Sequence, residues 1–204
     1  QTVVGRIQLK IQKLKFKRFE AEQLKGELRF NKNHIDIPVL AFNAAQGKAL
    51  LEGTLERPGK KKMPLQTKLR LQNMDISKVL YMVNDFGQKS ITHKHLSGRL
   101  NAEVLFNSTL NDDMSLVMAD NAGEASFSIQ NGQLLHFEPS KKISELLFRN
   151  RNFDDVRFAE IIGQVYFKGK ELEFPTIELS SNVLNMYVKG EYNFENDEEM
   201  DLRI

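Results

Sequence analysis

Cysteine and tryptophan are both absent from the 204 residues. Without cysteine there is no disulfide framework and no thiolate chemistry. Without tryptophan, and with four scattered tyrosines, no stacking platform for single-stranded nucleic acid is visible. Proline is scarce, at five residues, and no segment rich in Pro, Gly or Ser divides the chain. Charge of one sign is lacking too. The net charge is +2, so no strong field points to nucleic acid. No apolar run is long enough to span a bilayer as a helix. The opening Gln1-Thr2-Val3-Val4-Gly5-Arg6 has neither the charged nor the apolar region of a signal peptide. The first residue is not Met and a strand pattern starts at once, so a fragment of a longer protein is expected.

Catalytic patterns are missing as well. There is no serine elbow, no Gly-rich phosphate loop and no zinc-protease spacing. His93-Lys94-His95 sets two imidazoles two apart, but without a nearby acidic or Cys ligand the expectation is a loop or an edge strand and no metal. His34 and His136 are isolated. Asn111-Asp112-Asp113 lacks the later spacing of a calcium loop and reads as a hairpin tip. Lys60-Lys61-Lys62 follows Pro58-Gly59 and reads as a solvated turn. No enzyme and no cofactor are expected. A glycan hydrolase would need two facing carboxylates, which the sequence does not offer.

What is present is strict alternation. Hydrophobic residues make up 41 % and charged residues 27 %, an ordinary globular mixture. Their order is not random: Arg6 to Gln12 alternates polar and apolar without error, and Leu65 to Leu71 does the same. Period two puts one side of each strand on an apolar environment and the other in water. Turn signals at Asn31-Lys32-Asn33, Ala45-Gln46-Gly47, Asn131-Gly132 and Lys168-Gly169-Lys170 separate the runs. Strands joined so tightly pair antiparallel. The expected fold is therefore mainly β, of long antiparallel strands. Helical spacing predicts two short helices, Asp75–Phe86 and Ser140–Arg149.

The sequence also matches itself. Gly26 to Pro38 aligns without a gap on Gly163 to Pro175, an offset of 137 that extends to Gly53 and Gly190. The repeat units are about 24–55 and 161–192. Each reads as three strands, the third ending at Gly53 or Gly190, with the proline of the middle strand at an edge or a bulge. Leu96 to Leu100 is a weaker echo of Leu24 to Leu28.

Two short helices cannot cover ten or more strands. The apolar face must close as a sandwich or barrel, bend into a trough, or meet a ligand or partner. In a trough, Leu28, Phe30, Ile35, Ile37, Leu40 and Phe42 line the interior. Their repeat mates Val165, Phe167, Leu172, Phe174, Ile177 and Leu179 do the same, while Arg29, Lys32, Asp36, Tyr166, Lys168 and Glu173 fall outside or in turns. A sealed core would use the same residues.

From Gly123 to Pro139 the chain reads GEASFSIQNGQLLHFEP, followed by a predicted helix ending in Leu146-Leu147-Phe148. Phe158 to Gly163, Leu172 to Ser181 and Val188 to Phe194 come next, and Leu69 to Ile76 earlier leads into the first helix. The series of strand, Asn-Gly turn, strand, helix and strand, with Ser180-Ser181 before the last long strands, resembles the C-terminal region of AsmA-like proteins of Gram-negative bacteria. That resemblance implies a periplasmic domain whose parent is anchored in the inner membrane. It implies a bent, groove-forming sheet akin to bridge-like lipid transfer proteins and a part in phospholipid transport or outer-membrane biogenesis. The expected partners are phospholipid acyl chains, the remainder of the parent chain and outer-membrane assembly proteins, with no nucleic acid. A structural module of the envelope with a sealed core is the alternative.

Overall fold

The computed structural model describes residues 4–56, 61–87, 91–135, 155–181, 185–193 and 200–203. Alternation alone would give a ladder of hairpins, and the chain is one. Its strands are β1 (Gly5–Phe16), β2 (Phe19–Phe30), β3 (His34–Ala44), β4 (Gly47–Glu56), β5 (Lys62–Asp75) and β6 (Leu96–Asn111). They continue as β7 (Ala122–Leu135), β8 (Asp155–Lys168), β9 (Glu171–Ser181), β10 (Asn185–Asn193) and β11 (Met200–Arg203). All eleven form one sheet in chain order, every neighbouring pair is antiparallel, and the sheet is not closed into a barrel.

Short turns set this order. Ala45 and Gln46 both take left-handed φ, of 45° and 62°, the backbone that matches the twist of a two-residue hairpin. Gly169, at φ 60°, serves the β8–β9 turn. Asn131-Gly132 does not make the predicted turn: β7 runs through it. Asn131 is left-handed at φ 50°, and the β6–β7 register shifts there, from Arg99↔Gln130 to Ser97↔Gln133. The pair is a bulge, and the reason is close packing. A Cβ on Gly132 would lie 2.2 Å from the Phe158 ring and 2.3 Å from the Ser97 carbonyl oxygen, so a bare backbone is needed at this crossing.

Proline also marks bulges. In β3 the register steps from Ile37↔Gly53 to Leu40↔Leu51, leaving Pro38 and Val39 opposite one residue. In β9 it steps from Phe174↔Gly190 to Ile177↔Val188 around Pro175 and Thr176. Each pair in the second set is the first displaced by 137. The strands before them agree: Gly26↔Leu40 and Phe30↔Ile35 correspond to Gly163↔Ile177 and Phe167↔Leu172. The third strands pass through Gly53 and Gly190 and end three residues later, at Glu56 and Asn193.

One α-helix is found among the described residues, α1 (Ile76–Met82). Asp75 caps it as its sequence suggests, its carboxylate accepting from the Lys78 N–H at 3.2 Å. The helix is shorter than predicted. After Val83, residues Asn84, Asp85 and Phe86 turn left-handed, with φ of 54°, 52° and 54°, and Val83 leaves the buried stripe. Asp85 supplies the reason. Its carboxylate accepts from the His93 N–H at 2.7 Å and lies 2.8 Å from His93 Nδ1, a clasp that a continuing helix could not reach. The second predicted helix, Ser140–Arg149, lies outside the described residues.

Ile76 and Leu80 of α1 join Ala44, Ala49, Met74, Leu96, Leu100, Ile129, Phe158, Ile161 and Leu179 in the main core cluster. The core therefore sits at one end of the sheet, under the helix. Burial works to raise the Asp85 carboxyl, but the bonds to His93, with Arg18 nearby, outweigh it and hold the group below its ordinary value of 3.8. A carboxyl lowered in the fold stabilises above its ordinary value and loses that contribution as pH falls through the folded one. Asp85→Asn is accordingly expected to cost about 1–2 kcal/mol at neutral pH. Thermal melts of both proteins should converge as the pH falls through the lowered folded-state value of Asp85.

Candidate functional site

Rung by rung, the side of the sheet that carries α1 stays apolar from strand to strand. One rung runs Ile37, Gly53, Thr67, Phe106, Gly123, Phe167, Leu172 and Tyr192 across β3 to β10. A second, nearer α1, runs Phe42, Ala49, Leu71, Ala102, Phe127, Gly163, Ile177 and Val188. Between them lie Leu40, Leu51, Leu69, Val104, Ala125 and Val165. Antiparallel partners share a face, so these rungs are one surface.

All twelve predicted lining residues belong to it. Leu28 and Phe30 come from β2, and Ile35, Ile37, Leu40 and Phe42 from β3. Val165 and Phe167 come from β8, and Leu172, Phe174, Ile177 and Leu179 from β9. Eleven are half-buried, and Leu179, at 9 % exposure, is the buried one. The two sets do not meet, because β4 to β7 separate them. They are flanks of a surface whose middle, Leu69, Val104, Phe106 and Phe127, was equally legible as alternation but carried no repeat to single it out. Arg29, Lys32, Asp36, Tyr166, Lys168 and Glu173 fall on the other face or in turns.

Among the described residues, cover is found at the two ends. At one end is α1, seven residues and about 10 Å long. At the other, the β6–β7 connection folds back along β6. There Leu110 bridges Leu116, the Val117 N–H donates to the Thr109 carbonyl, and Ser108 donates to Asn121 Oδ1 at 2.6 Å. The strand between these covers, β6, has 16 residues and is about 50 Å long. No large side chain among the described residues is wholly buried.

Rings fill the space that glycines leave. A Cβ on Gly123 would fall 2.6 Å from Phe167 Cζ and 2.0 Å from the Leu105 carbonyl oxygen, and one on Gly163 would fall 2.8 Å from Phe127. Phe167 also stacks on Phe106, with centroids 5.9 Å apart. Aromatic cover of strand glycines pins register and smooths the surface.

The opposite face is polar. Arg70 bonds Glu103 at 3.0 Å and Glu52 at 3.1 Å, and Lys68 meets Glu103 at 2.7 Å. Bonds from Lys68 and Arg70 hold the Glu103 carboxyl below its usual range. Beside them is a shallow depression of about 660 Å³, walled by Arg70, Glu103, Gln164 and Glu178. A second concavity, about 1060 Å³, lies at the α1 end beside Lys17, Arg18 and Tyr81. Among the described residues, no group of three His, Cys, Asp or Glu side chains could hold a metal, and His93, in a turn before β6, is engaged by Asp85.

Compared with protein-family models, curated proteins and solved structures, the chain matches none.

The glycine crossings give a direct check on the face. Gly123→Ala should destabilise by about 1–3 kcal/mol in urea unfolding, since backbone and ring must both move. Gly5→Ala, where nothing lies within 4 Å of the new Cβ, should leave the midpoint unchanged.

Proposed function

We propose that the chain is a non-enzymatic domain of a bacterial envelope protein, AsmA-like in kind, whose apolar sheet face holds or guides phospholipid acyl chains. The observation that carries this reading is the apolar face itself. It extends across the sheet, its flanking residues are half-buried, and among the described residues one short helix and one folded-back connection stand over its ends. Eleven strands at about 4.8 Å spacing make a sheet nearly 50 Å wide, more than those covers reach.

Bending would turn this face into a trough. Bulges bend strands and raise local twist, and bulges at Pro38 and Pro175 occupy equivalent registers on the two flanks. The coincidence supports duplication of one three-stranded unit, curving each side alike. Acyl chains need no polar anchor, because each buried methylene contributes about 0.8 kcal/mol. Asp85, the buried charged side chain among the described residues, lies in the turn after α1, off the proposed path. On this reading the domain works in the periplasm, the parent chain is held in the inner membrane, and phospholipid traffic to the outer membrane is the task.

A structural role is the second reading, favoured by one feature. β1 is twelve residues long and among the described residues has a partner strand on one side only, which suits strand addition on its other side by an outer-membrane assembly protein or by more of the parent chain.

Native mass spectrometry of protein purified without detergent should show bound phospholipid, and lipid-free protein should take up a fluorescent fatty acid. Phe30→Asp and Phe167→Asp should each lower uptake at least several-fold while circular dichroism stays that of the folded sheet. Failure of the wild type to hold either ligand, or unfolding of both variants, would place these rings in a sealed core and favour the structural role.

A further inference from the structure

Two turns meet at the α1 end of the sheet and push aromatic rings into water. Phe16, at the tip of the β1–β2 hairpin, is 66 % exposed, and Phe86, after α1, is 60 % exposed. Arg18 joins the turns: its guanidinium lies 5.1 Å from the centre of the Tyr81 ring, and its charge reaches Asp85.

Backbone, not packing, holds Phe86 out. Three successive residues, Asn84, Asp85 and Phe86, are left-handed, a conformation that residues with a Cβ adopt only at a cost. The Asp85 clasp on His93 fixes that turn from inside. The clasp offsets the strain of the turn, and the turn it fixes leaves the Phe86 ring in water.

Charge surrounds the rings. The concavity of about 1060 Å³ beside them is lined by Lys17, Arg18, Lys48 and Lys78, with Lys15 answered by Glu20 and with Glu22 close by. Five cations against two carboxylates give the wall of this concavity a positive excess, with Asp75 and Asp85 standing at the same end of the sheet.

We infer that the α1 end is a docking surface for an anionic lipid bilayer. Phe16 and Phe86 enter the interfacial region, and Lys17, Arg18 and Lys78 meet headgroup phosphates. Exposed rings flanked by cations have the composition of interfacial anchors. Bases of nucleic acid stack on rings laid along a groove, whereas these rings stand on convex turns beside Val83, itself 41 % exposed. The inference stands on exposure and charge at this end alone and goes beyond the acyl-chain reading.

The test is flotation of the full chain with vesicles of phosphatidylcholine, with or without phosphatidylglycerol. Binding is expected to need the anionic lipid and to weaken as salt is raised. Lys15→Gln/Lys17→Gln/Arg18→Gln should lower partitioning by about fivefold per cation removed, and Phe16→Ser/Phe86→Ser should abolish it. Lys10→Gln/Lys25→Gln/Lys32→Gln, which removes equal charge elsewhere, should bind much more strongly than the tip variants. Because the chain has no tryptophan, Phe16→Trp supplies a single reporter, whose emission should shift to the blue on anionic vesicles while that of Tyr187→Trp does not. No binding to anionic vesicles, equal losses in the tip and control lysine variants, or binding to RNA but not to vesicles would each overturn the inference. Loss of vesicle binding with acyl-chain uptake intact would support it and leave the groove reading untouched.

Discussion

Side-chain parity is the constraint on which this molecule depends. In a meander of eleven strands each strand takes its facing from the one before, and a slip of one residue would turn its apolar set to water. Parity survives because the chain resets it where its own pattern breaks. Apolar residues fall at odd positions in β5 up to Leu71 and at an even one at Met74, and there Asn73 is left-handed and the register shifts. The same happens at Gln23 in β2, between Ala21 and Leu24. At Pro38 and Pro175 it is proline, unable to donate to the ladder, that occupies the extra position. Each bulge keeps the next apolar side chain on the face of its predecessors.

One continuous face follows, and so does its uneven burial. Where α1 lies over it, Leu80, Leu100, Ile129 and Phe158 are buried. Along the middle and far flanks most residues of the same parity are half-buried, Tyr192 and Leu110 being buried exceptions. The difference lies in what stands above them. That difference also explains why the strongest polar clasp, Asp85 with His93, sits at the helix end, where low exposure strengthens the hydrogen bonds between the two groups.

The polar face and the α1 end divide the remaining work. Cross-strand ion pairs such as Glu52–Arg70–Glu103–Lys68 are exposed and contribute little each. Their effect is to keep one face wet and so to fix which face is not. At the α1 end the rule is broken openly, with Phe16, Tyr81 and Phe86 in water beside lysines and arginine.

Period two along the chain, with tight turns between runs, determined by itself that the fold is an antiparallel sheet with one apolar face. Alternation and hairpin connection are local and set each neighbouring pair antiparallel, while closure as a sandwich, barrel or open sheet stayed undecided. The offset of 137 between Gly26 and Gly163 likewise named both flanks, and Asp75 announced its helix. Three things were decided only in three dimensions. Asn131-Gly132 has the composition of a turn, yet the Phe158 ring and the Ser97 carbonyl lying over Gly132 make it a bulge. The helix predicted to reach Phe86 stops at Met82 because Asp85 finds His93 across the turn, a partner that helical spacing cannot reveal. The meeting of Arg18 with Tyr81 and Asp85 joins segments some sixty residues apart, brought to one end by strand order. Local pattern fixes which way each side chain faces; which distant groups come to lie beside it depends on register and on the cover above it, and those belong to the assembled sheet.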